Sequence, residues 1–245
     1  MDALILAAGY GTRLGELTKN TPKPLLDVGG RPMLEHILDR VLDGGRVRRL
    51  LVVSNARFAT QFQRWADGYR RCPVLIVNDG TETNETRLGA NGDIRRAIRE
   101  GGVTDDLMVV GGDNLFTFDL PGFMAFGAEK RAATVLYDVG TKELASLYGV
   151  VRLDETDRIT WFVEKPKDPP STLASTCIYY WGREHLPLFD RYLAEGNDKD
   201  KTGSFLAWAH RHIPIYGWRG EGEWWDIGDR GELERVRARF AAGRP

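Results

Sequence analysis

The chain has 245 residues, 42% of them hydrophobic, with 34 basic against 35 acidic side chains, which is enough apolar material to build a buried core without disulfide or metal staples. A formal net charge of −1 excludes a global field that would draw the protein to nucleic acid or an anionic membrane, so any anion site has to be local. The opening residues, Met1 to Gly9, carry an acid where a signal peptide carries basic charge, and their apolar run is too short to span a bilayer, so the expectation is a cytoplasmic protein with no nucleic-acid or membrane partner.

In chain order, Leu4 to Ala7, Leu50 to Val53, Val74 to Val77 and Leu107 to Val110 are short β-branched runs that read as buried strands of a largely parallel sheet. Between the first two, apolar residues at Leu34, Ile37, Leu38, Val41 and Leu42 keep helical spacing, with Pro32 at the start and Gly44-Gly45 as a stop. Phe58, Phe62, Trp65 and Ala66 repeat that spacing, as do Ile94, Ala97 and Ile98. The first half therefore reads as a Rossmann-like, doubly wound α/β fold. The second half changes character: Thr134 to Tyr137, Gly149 to Leu153, Ile159 to Val163 and Thr176 to Trp181 follow one another with little helix between them, the pattern of a small antiparallel layer on a mixed sheet. Helical spacing returns at Glu184 to Ala194, Phe205 to Arg211 and Gly231 to Ala241. No Ser/Gly linker or repeat interrupts the chain, so one domain is expected over residues 1–245, its two halves meeting at about residue 130. The polar run from Gly196 to Lys201 reads as a solvated loop that could border a site. Cys72 and Cys177 lie far apart without metal-ligand spacing and read as ordinary thiols.

The strongest local signal follows the first strand: Leu6-Ala7-Ala8-Gly9-Tyr10-Gly11-Thr12-Arg13-Leu14. Ligands of open α/β sheets bind beyond strand carboxyl ends. There Gly9 and Gly11 let main-chain N–H groups approach an anion, Thr12 adds a hydroxyl, and Arg13 adds a permanently charged fork for phosphate oxygens. A dinucleotide fingerprint would need a third glycine where Leu14 stands, and a P-loop would need Gly-Lys-Ser/Thr. Lys23 stands between Pro22 and Pro24, which hold its backbone extended and aim its ammonium. At the fourth strand's end, Gly111-Gly112-Asp113 offers room for a ligand and a hard carboxylate suited to Mg²⁺. Trp225-Asp226 offers a second carboxylate, while Asp229 reads as the cap of the last helix. Glu164-Lys165 puts an acid and a base at a strand end, facing opposite ways and so free for two jobs. His36, His185, His210 and His212 lie away from these motifs.

Taken in order, Leu6 to Leu14, Thr21-Pro22-Lys23-Pro24-Leu25-Leu26, Gly112-Asp113-Asn114, Tyr148-Gly149-Val150-Val151, Glu164-Lys165-Pro166 and Trp225-Asp226-Ile227-Gly228 resemble the sugar-1-phosphate nucleotidyltransferases over nearly the whole chain, and most closely the glucose-1-phosphate thymidylyltransferase branch. The resemblance implies a triphosphate held by Gly9, Gly11, Thr12 and Arg13, with Lys23 beside the reacting phosphates. It extends the nucleotide site to Leu6, Ala7, Ala8, Asn78, Gly89 and Asp113, and makes about 1–130 the nucleotide-binding half and about 131–245 the sugar-phosphate-binding half. It also implies Mg²⁺ on Asp113 and Asp226, sugar hydroxyls on Gly149 and Glu164, the sugar phosphate on Lys165, and Thr176, with Ser175, lining the same pocket. Arg13 and Lys23 would be the catalytic cations, and the partners would be a nucleoside triphosphate and a sugar phosphate, with a homo-oligomer left open. The chain departs from the branch at Ala8, where a second glycine is usual, and at Val77-Asn78-Asp79-Gly80, where a Gln-Pro near the base is usual. The base is therefore open, with dTTP or UTP favoured. The β-helix acyltransferase domain of some relatives is not expected after the last helix. A CTP-dependent cytidylyltransferase acting on an inositol, choline or glycerol phosphate is the alternative reading, and Tyr148-Gly149 with Glu164-Lys165 favours the sugar.

Overall fold

The computed structural model describes residues 1–241. The first half runs β1 (Asp2–Leu6), a short pair β2 (Asp27–Val28) and β3 (Arg31–Pro32), α1 (Met33–Leu42), β4 (Arg49–Ser54), α2 (Ala56–Gly68), β5 (Val74–Asn78), α3 (Ala90–Glu100), β6 (Leu107–Gly111), β7 (Asn114–Phe116) and α4 (Leu120–Lys130). The second runs β8 (Ala132–Asp138), α5 (Lys142–Ala145), β9 (Gly149–Leu153), β10 (Ile159–Glu164), β11 (Leu173–Trp181), α6 (Pro187–Ala194), α7 (Thr202–Ala209), β12 (Tyr216–Arg219), β13 (Trp224–Asp226) and α8 (Arg230–Ala241).

One nine-stranded sheet passes through both halves in the order β10-β9-β11-β6-β1-β4-β5, with β8 on β11 and β12 on β8. The four strands read as a parallel set are parallel: β1 lies between β6 and β4, and β4 pairs with β5. Their side chains alternate across the sheet, as strand geometry requires. Ala3 and Ile5 enter one core while Leu4 enters the other, and Met108 and Val110 oppose Leu107 and Val109 in the same way. Both faces are apolar, so both must be covered. The apolar stripes of α1, α2, α4 and α8 cover one face, and those of α3, α6 and α7 cover the other.

The expected antiparallel layer is present, with β11 antiparallel to β6 and β8, and β9 to β10, although β12 joins β8 in parallel. Sequence periodicity misses α4 and the short elements β2, β3, β7, α5, β12 and β13. The α4 segment carries Pro121, Gly122 and Gly127, poor helix formers. It is helical because Asp119 caps it by accepting from Gly122 N and because Gly127 lets it close on Tyr180, where a Cβ would stand 2.4 Å from Cγ. It also misses an irregularity in β11: the N-terminal part, from Leu173, pairs with β8 and touches β9, the C-terminal part lies between β8 and β6, and the register on β8 shifts between Ser175 and Tyr179. Cys177 there has φ +56°. Such a bulge bends a strand and re-aims side chains beside a site, and here it hands the parallel sheet over to the antiparallel layer.

Asp106 clasps the start of β6 to the end of β11. Its carboxylate, 15% exposed, accepts from both Arg131 terminal nitrogens at 2.7 and 2.8 Å, from Tyr180 OH and from Arg183 N. Burial alone would raise its pKa, but these donors hold it down at about 2. A carboxyl depressed in the folded state stabilises above its unfolded pKa near 4, and the contribution fades as pH falls through the folded value. Asp106→Asn should therefore cost about 2 kcal/mol at neutral pH, and urea titrations should show that penalty shrinking between about pH 4 and pH 2. A pH-independent penalty would refute the charge-based account. Among the described residues no helix is long and apolar enough to cross a membrane.

Candidate active site

The glycine-rich loop leaves β1 at the sheet's carboxyl edge. Ala7 N donates to Val53 O at 2.9 Å, and buried Asn55, the N-cap of α2, donates from Nδ2 to Ala8 O at 2.8 Å while its Oδ1 accepts from Phe58 N. One side chain thus caps a helix and pins the loop. Gly11 is left-handed (φ +63°), and a Cβ there would stand 2.8 Å from Thr18 Cγ2, so glycine is required at this turn. Thr18 Oγ1 donates to Gly11 O at 2.8 Å, closing the loop from below. Leu6, Ala7, Gly9, Gly11, Thr12, Arg13 and Lys23 line a cavity of about 200 Å³, together with Asp113 and Gly228. Arg13 is exposed at its rim, its guanidinium beside Gly228, where a Cβ would lie 3.2 Å from Nη1. Among the described residues it forms no ion pair.

The backbone is extended at Pro22 as expected, but Lys23 itself is not extended: it opens a single 3-10 turn, Lys23–Leu25. It places Lys23, only 9% exposed, so that Nζ donates to Asp113 Oδ2 at 2.9 Å. Gly112 allows this approach: its N–H donates to Leu6 O, and a Cβ would come within 2.6 Å of that oxygen. Asp226 arrives from the far end of the chain through the antiparallel pair β7–β13, in which it stands opposite Asn114. Ile227 N donates to Asp113 O at 3.0 Å. Asn114 Nδ2 donates to Asp113 Oδ1 at 2.8 Å, and Trp224 Nε1 donates to Asn114 Oδ1 at 2.7 Å. A relay from tryptophan to asparagine to aspartate therefore orients Asp113. Asp229 caps α8 as expected, accepting from Glu232 N, while Glu232 Oε2 accepts from Gly228 N and Asp229 N; this reciprocal box fixes the turn beneath Arg13.

Asp113 and Asp226 both border a second, larger cavity of about 350 Å³, along with Leu6, Ala8, Gly9, Gly89, Gly149, Glu164 and Lys165. Burial works to raise the Asp113 pKa, but the adjacent Lys23 ammonium holds it low. Asp226 is pushed up, first by burial and then by the negative charge of Asp113. Two hard carboxylates that repel across a cleft fit a divalent cation. Among the described residues no group of three or more metal-ligating side chains assembles, and Mg²⁺ needs only one or two protein carboxylates when phosphates supply the rest.

At the other end of this cavity Gly149 stands opposite Glu164 in the β9–β10 ladder. The Glu164 carboxylate is wedged between two glycines: a Cβ on Gly149 would lie 2.9 Å from Oε2, and one on Gly203 would lie 1.9 Å from it. Burial raises its pKa against the opposing charges of Lys165 and Lys201. Strand alternation predicts that Glu164 and Lys165 face apart, yet both line the one cavity. The reason is that Lys165 leaves the strand in a left-handed conformation (φ +52°), its N–H held by Tyr148 O at 2.9 Å. Positive φ at a lysine is backbone strain of the kind found at working sites.

Two expected contacts are corrected. Asn78 lies outside both cavities and turns its Oδ1 back to accept from Gly80 N at 2.9 Å. Thr176 is buried on the opposite face of β11, donating to Val135 O at 3.0 Å, because alternation sends Ser175, Cys177 and Tyr179 into the cavity instead. None of the four histidines lines either cavity. Burial pushes the Cys177 thiol up to about 12, which makes it inert as a nucleophile. The polar loop at 196–201 is docked rather than merely solvated. Asn91 Nδ2 donates to Asp198 O and Lys201 O, Asn91 N donates to Lys199 O, and Arg87 pairs with Asp200 at 2.8 Å. Gly89 permits this docking, since a Cβ would meet Lys199 O at 2.5 Å. Arg87, Lys201 and Thr202 thereby enter the cavity wall, a consequence of a contact over more than a hundred residues that no local pattern announces.

A family model of nucleotidyl transferases matches residues 2–242. The chain belongs to the nucleotidyl transferase family. Within it, the chain is 33% identical over 182 residues to a Haloferax volcanii UTP–glucose-1-phosphate uridylyltransferase, covering 73% of this chain and 71% of that one. It is 31% identical over 240 residues to the Synechocystis UTP–glucose-1-phosphate uridylyltransferase, covering 93% and 60%, and 29% identical over 244 residues to the Mycobacterium tuberculosis mannose-1-phosphate guanylyltransferase, covering 99% and 65%. Against two archaeal bifunctional GlmU proteins the family member spans about half their length, 51% and 53%. Its fold matches a UDP-glucose pyrophosphorylase solved with UDP-glucose, with a TM-score of 0.85 at 19% identity over 99% of each chain.

Proposed function

We propose that this family member transfers a nucleotidyl group from a nucleoside triphosphate, UTP or dTTP in preference, to a sugar 1-phosphate, releasing pyrophosphate. The observation that carries the reading is the convergence of Arg13, Lys23 and Lys165 with Asp113 and Asp226 around two cavities that share Leu6, Gly9 and Asp113. The smaller cavity is a triphosphate cradle with one rim cation. The larger has room for a nucleoside on its α3 side and for an acceptor between Glu164 and Lys165.

An acceptor phosphate is already ionised near pH 7, its second pKa being about 6, so its oxygen can attack the α-phosphorus in line without a general base. The absence of a histidine from the cavity walls fits that chemistry. Arg13 and the N–H groups of the glycine-rich loop would neutralise the departing pyrophosphate, and Lys23, held by Asp113 in the wall of the smaller cavity, would meet the reacting phosphates. Asp113 and Asp226 would hold Mg²⁺, which when bound neutralises phosphate charge and aligns the reacting oxygens. Glu164 would accept hydrogen bonds from sugar hydroxyls, and Lys165 would hold the sugar phosphate.

Pyrophosphate release measured over a grid of triphosphates and sugar phosphates tests the reading, and no release with any pair would overturn it. Within that grid Lys165→Ala should raise the acceptor KM by about ten- to a hundredfold, since a charged hydrogen bond is worth about 1.5–3 kcal/mol, with the triphosphate KM nearly unchanged. The opposite split would move Lys165 to the nucleotide side.

A further inference from the structure

In the sheet order, Gly149 and Glu164 lie at the β9–β10 end, and the segment from Arg87 to Asp93 follows β5 at the other. With the acceptor placed at the first end, the nucleobase belongs at the second, where Ala8, Gly9, Arg87, Gly89 and Asp93 form the wall. Asn78, on the segment where the resembled branch carries its Gln-Pro, does not line this space. Asp93, in the first turn of α3, reaches it.

Asp93 is 7% exposed, and its Oδ1 is buried with no hydrogen-bond donor facing it among the described residues. Its neighbour Asp79, 2% exposed, is already satisfied: Oδ1 accepts from Thr81 N at 2.7 Å and from Thr81 Oγ1 at 2.8 Å, and Tyr10 OH supports that hydroxyl at 3.0 Å. The two carboxyls lie within hydrogen-bonding reach of each other, which two ionised carboxylates cannot exploit because neither has a proton to donate. Burial and the Asp79 charge push Asp93 up to about 8, so Asp93 carries the proton and donates it to Asp79. Its other oxygen is then an acceptor only. Arg87, locked by Asp200 at 2.8 and 3.1 Å, brings a donor-only group to the same wall.

We propose that Asp93 selects the nucleobase by accepting a hydrogen bond from the ring N–H of an oxo base, the lactam N–H of uracil, thymine or guanine, with Arg87 donating to the adjacent carbonyl. Adenine and cytosine present a ring-nitrogen lone pair where that N–H would stand, which sets acceptor against acceptor. Sliding the base to avoid this is opposed by the triphosphate, held in the cradle. The inference rests on the nucleotidyl-transfer reading for which ligand enters the cavity, and it names a specificity residue that reading does not need.

Calorimetric binding of UTP, dTTP, GTP, CTP and ATP to the full chain in Mg²⁺, alongside kcat/KM with the best acceptor, tests it. The wild type should favour at least one of UTP, dTTP and GTP over CTP and ATP by about tenfold or more. Asp93→Leu should bring all five within about threefold, and Asp93→Ala serves if the leucine variant does not fold. Asp93→Asn should keep the ranking, because its amide N–H replaces the acid O–H toward Asp79 and leaves a carbonyl in the cavity. An unchanged ranking in a folded leucine or alanine variant, loss of ranking in the asparagine variant, or a wild-type preference for CTP or ATP would overturn the assignment. Absence of pyrophosphate release would instead sink the transfer reading, while the binding series still reports on the base.

Discussion

Asp113→Asn is expected to lower kcat by about three orders of magnitude, the several kcal/mol that charge neutralisation at a phosphate centre supplies. The side chain stands where both cavities meet, opens 41% of its surface to them, and is oriented by Asn114 and by Ile227 N, which holds its main chain. Asparagine keeps that shape, and its carbonyl can still accept from Lys23 Nζ, but its amide NH2 then faces Asn114 Nδ2, so the losses are the charge and one orienting hydrogen bond of about 1 kcal/mol. The melting temperature should therefore shift by only about a few degrees. Single-turnover pyrophosphate release in Mg²⁺ is the decisive measurement. A rate within tenfold of wild type would mean that Asp113 serves as a structural partner of Lys23 and that the metal assignment is wrong.

Arg13→Ala should depress kcat by about two orders of magnitude or more while leaving the triphosphate KM within a small factor, the pattern of a contact made chiefly in the transition state. The structural reason is that Arg13 is unengaged. Lys23 is bound to Asp113, whereas the Arg13 guanidinium lies at the cradle's rim beside Gly228 with no ion-pair partner among the described residues. It is thus free to meet charge that develops on the leaving pyrophosphate. Arg13→Lys should recover only part of the rate, since an ammonium lacks the planar fork that bridges two oxygens. If the alanine variant changes KM alone, Arg13 contributes uniform binding and the transition-state role falls.

The parallel strands and their covering helices were legible because periodicity and burial agree locally: three of the four β-branched runs are buried on both faces, whereas the Val74 to Val77 run, read as buried, is the edge strand β5 and leaves Leu75 40% exposed, and each crossover helix shows one apolar stripe. The wall of the smaller cavity was legible for the same reason. Glycines, threonine and arginine follow the first strand without a break, and a lysine sits between two prolines, so spacing along the chain is spacing in the site. What sequence could not decide depends on contacts made across long separations. Asp226 meets Asp113 only through the β7–β13 pairing, and Trp224, which sequence left without a role, orients Asp113 through Asn114. Thr176 and Ser175 are neighbours in sequence, and only the packing of β11 against β8 decides which of them faces the cavity. The wall of the larger cavity depends on Asn91 and Arg87 gripping a loop more than a hundred residues away. The character of Asp93 depends on Asp79 lying beside it in the dry interior, because a carboxyl's charge is set by what surrounds it and not by its place in the chain.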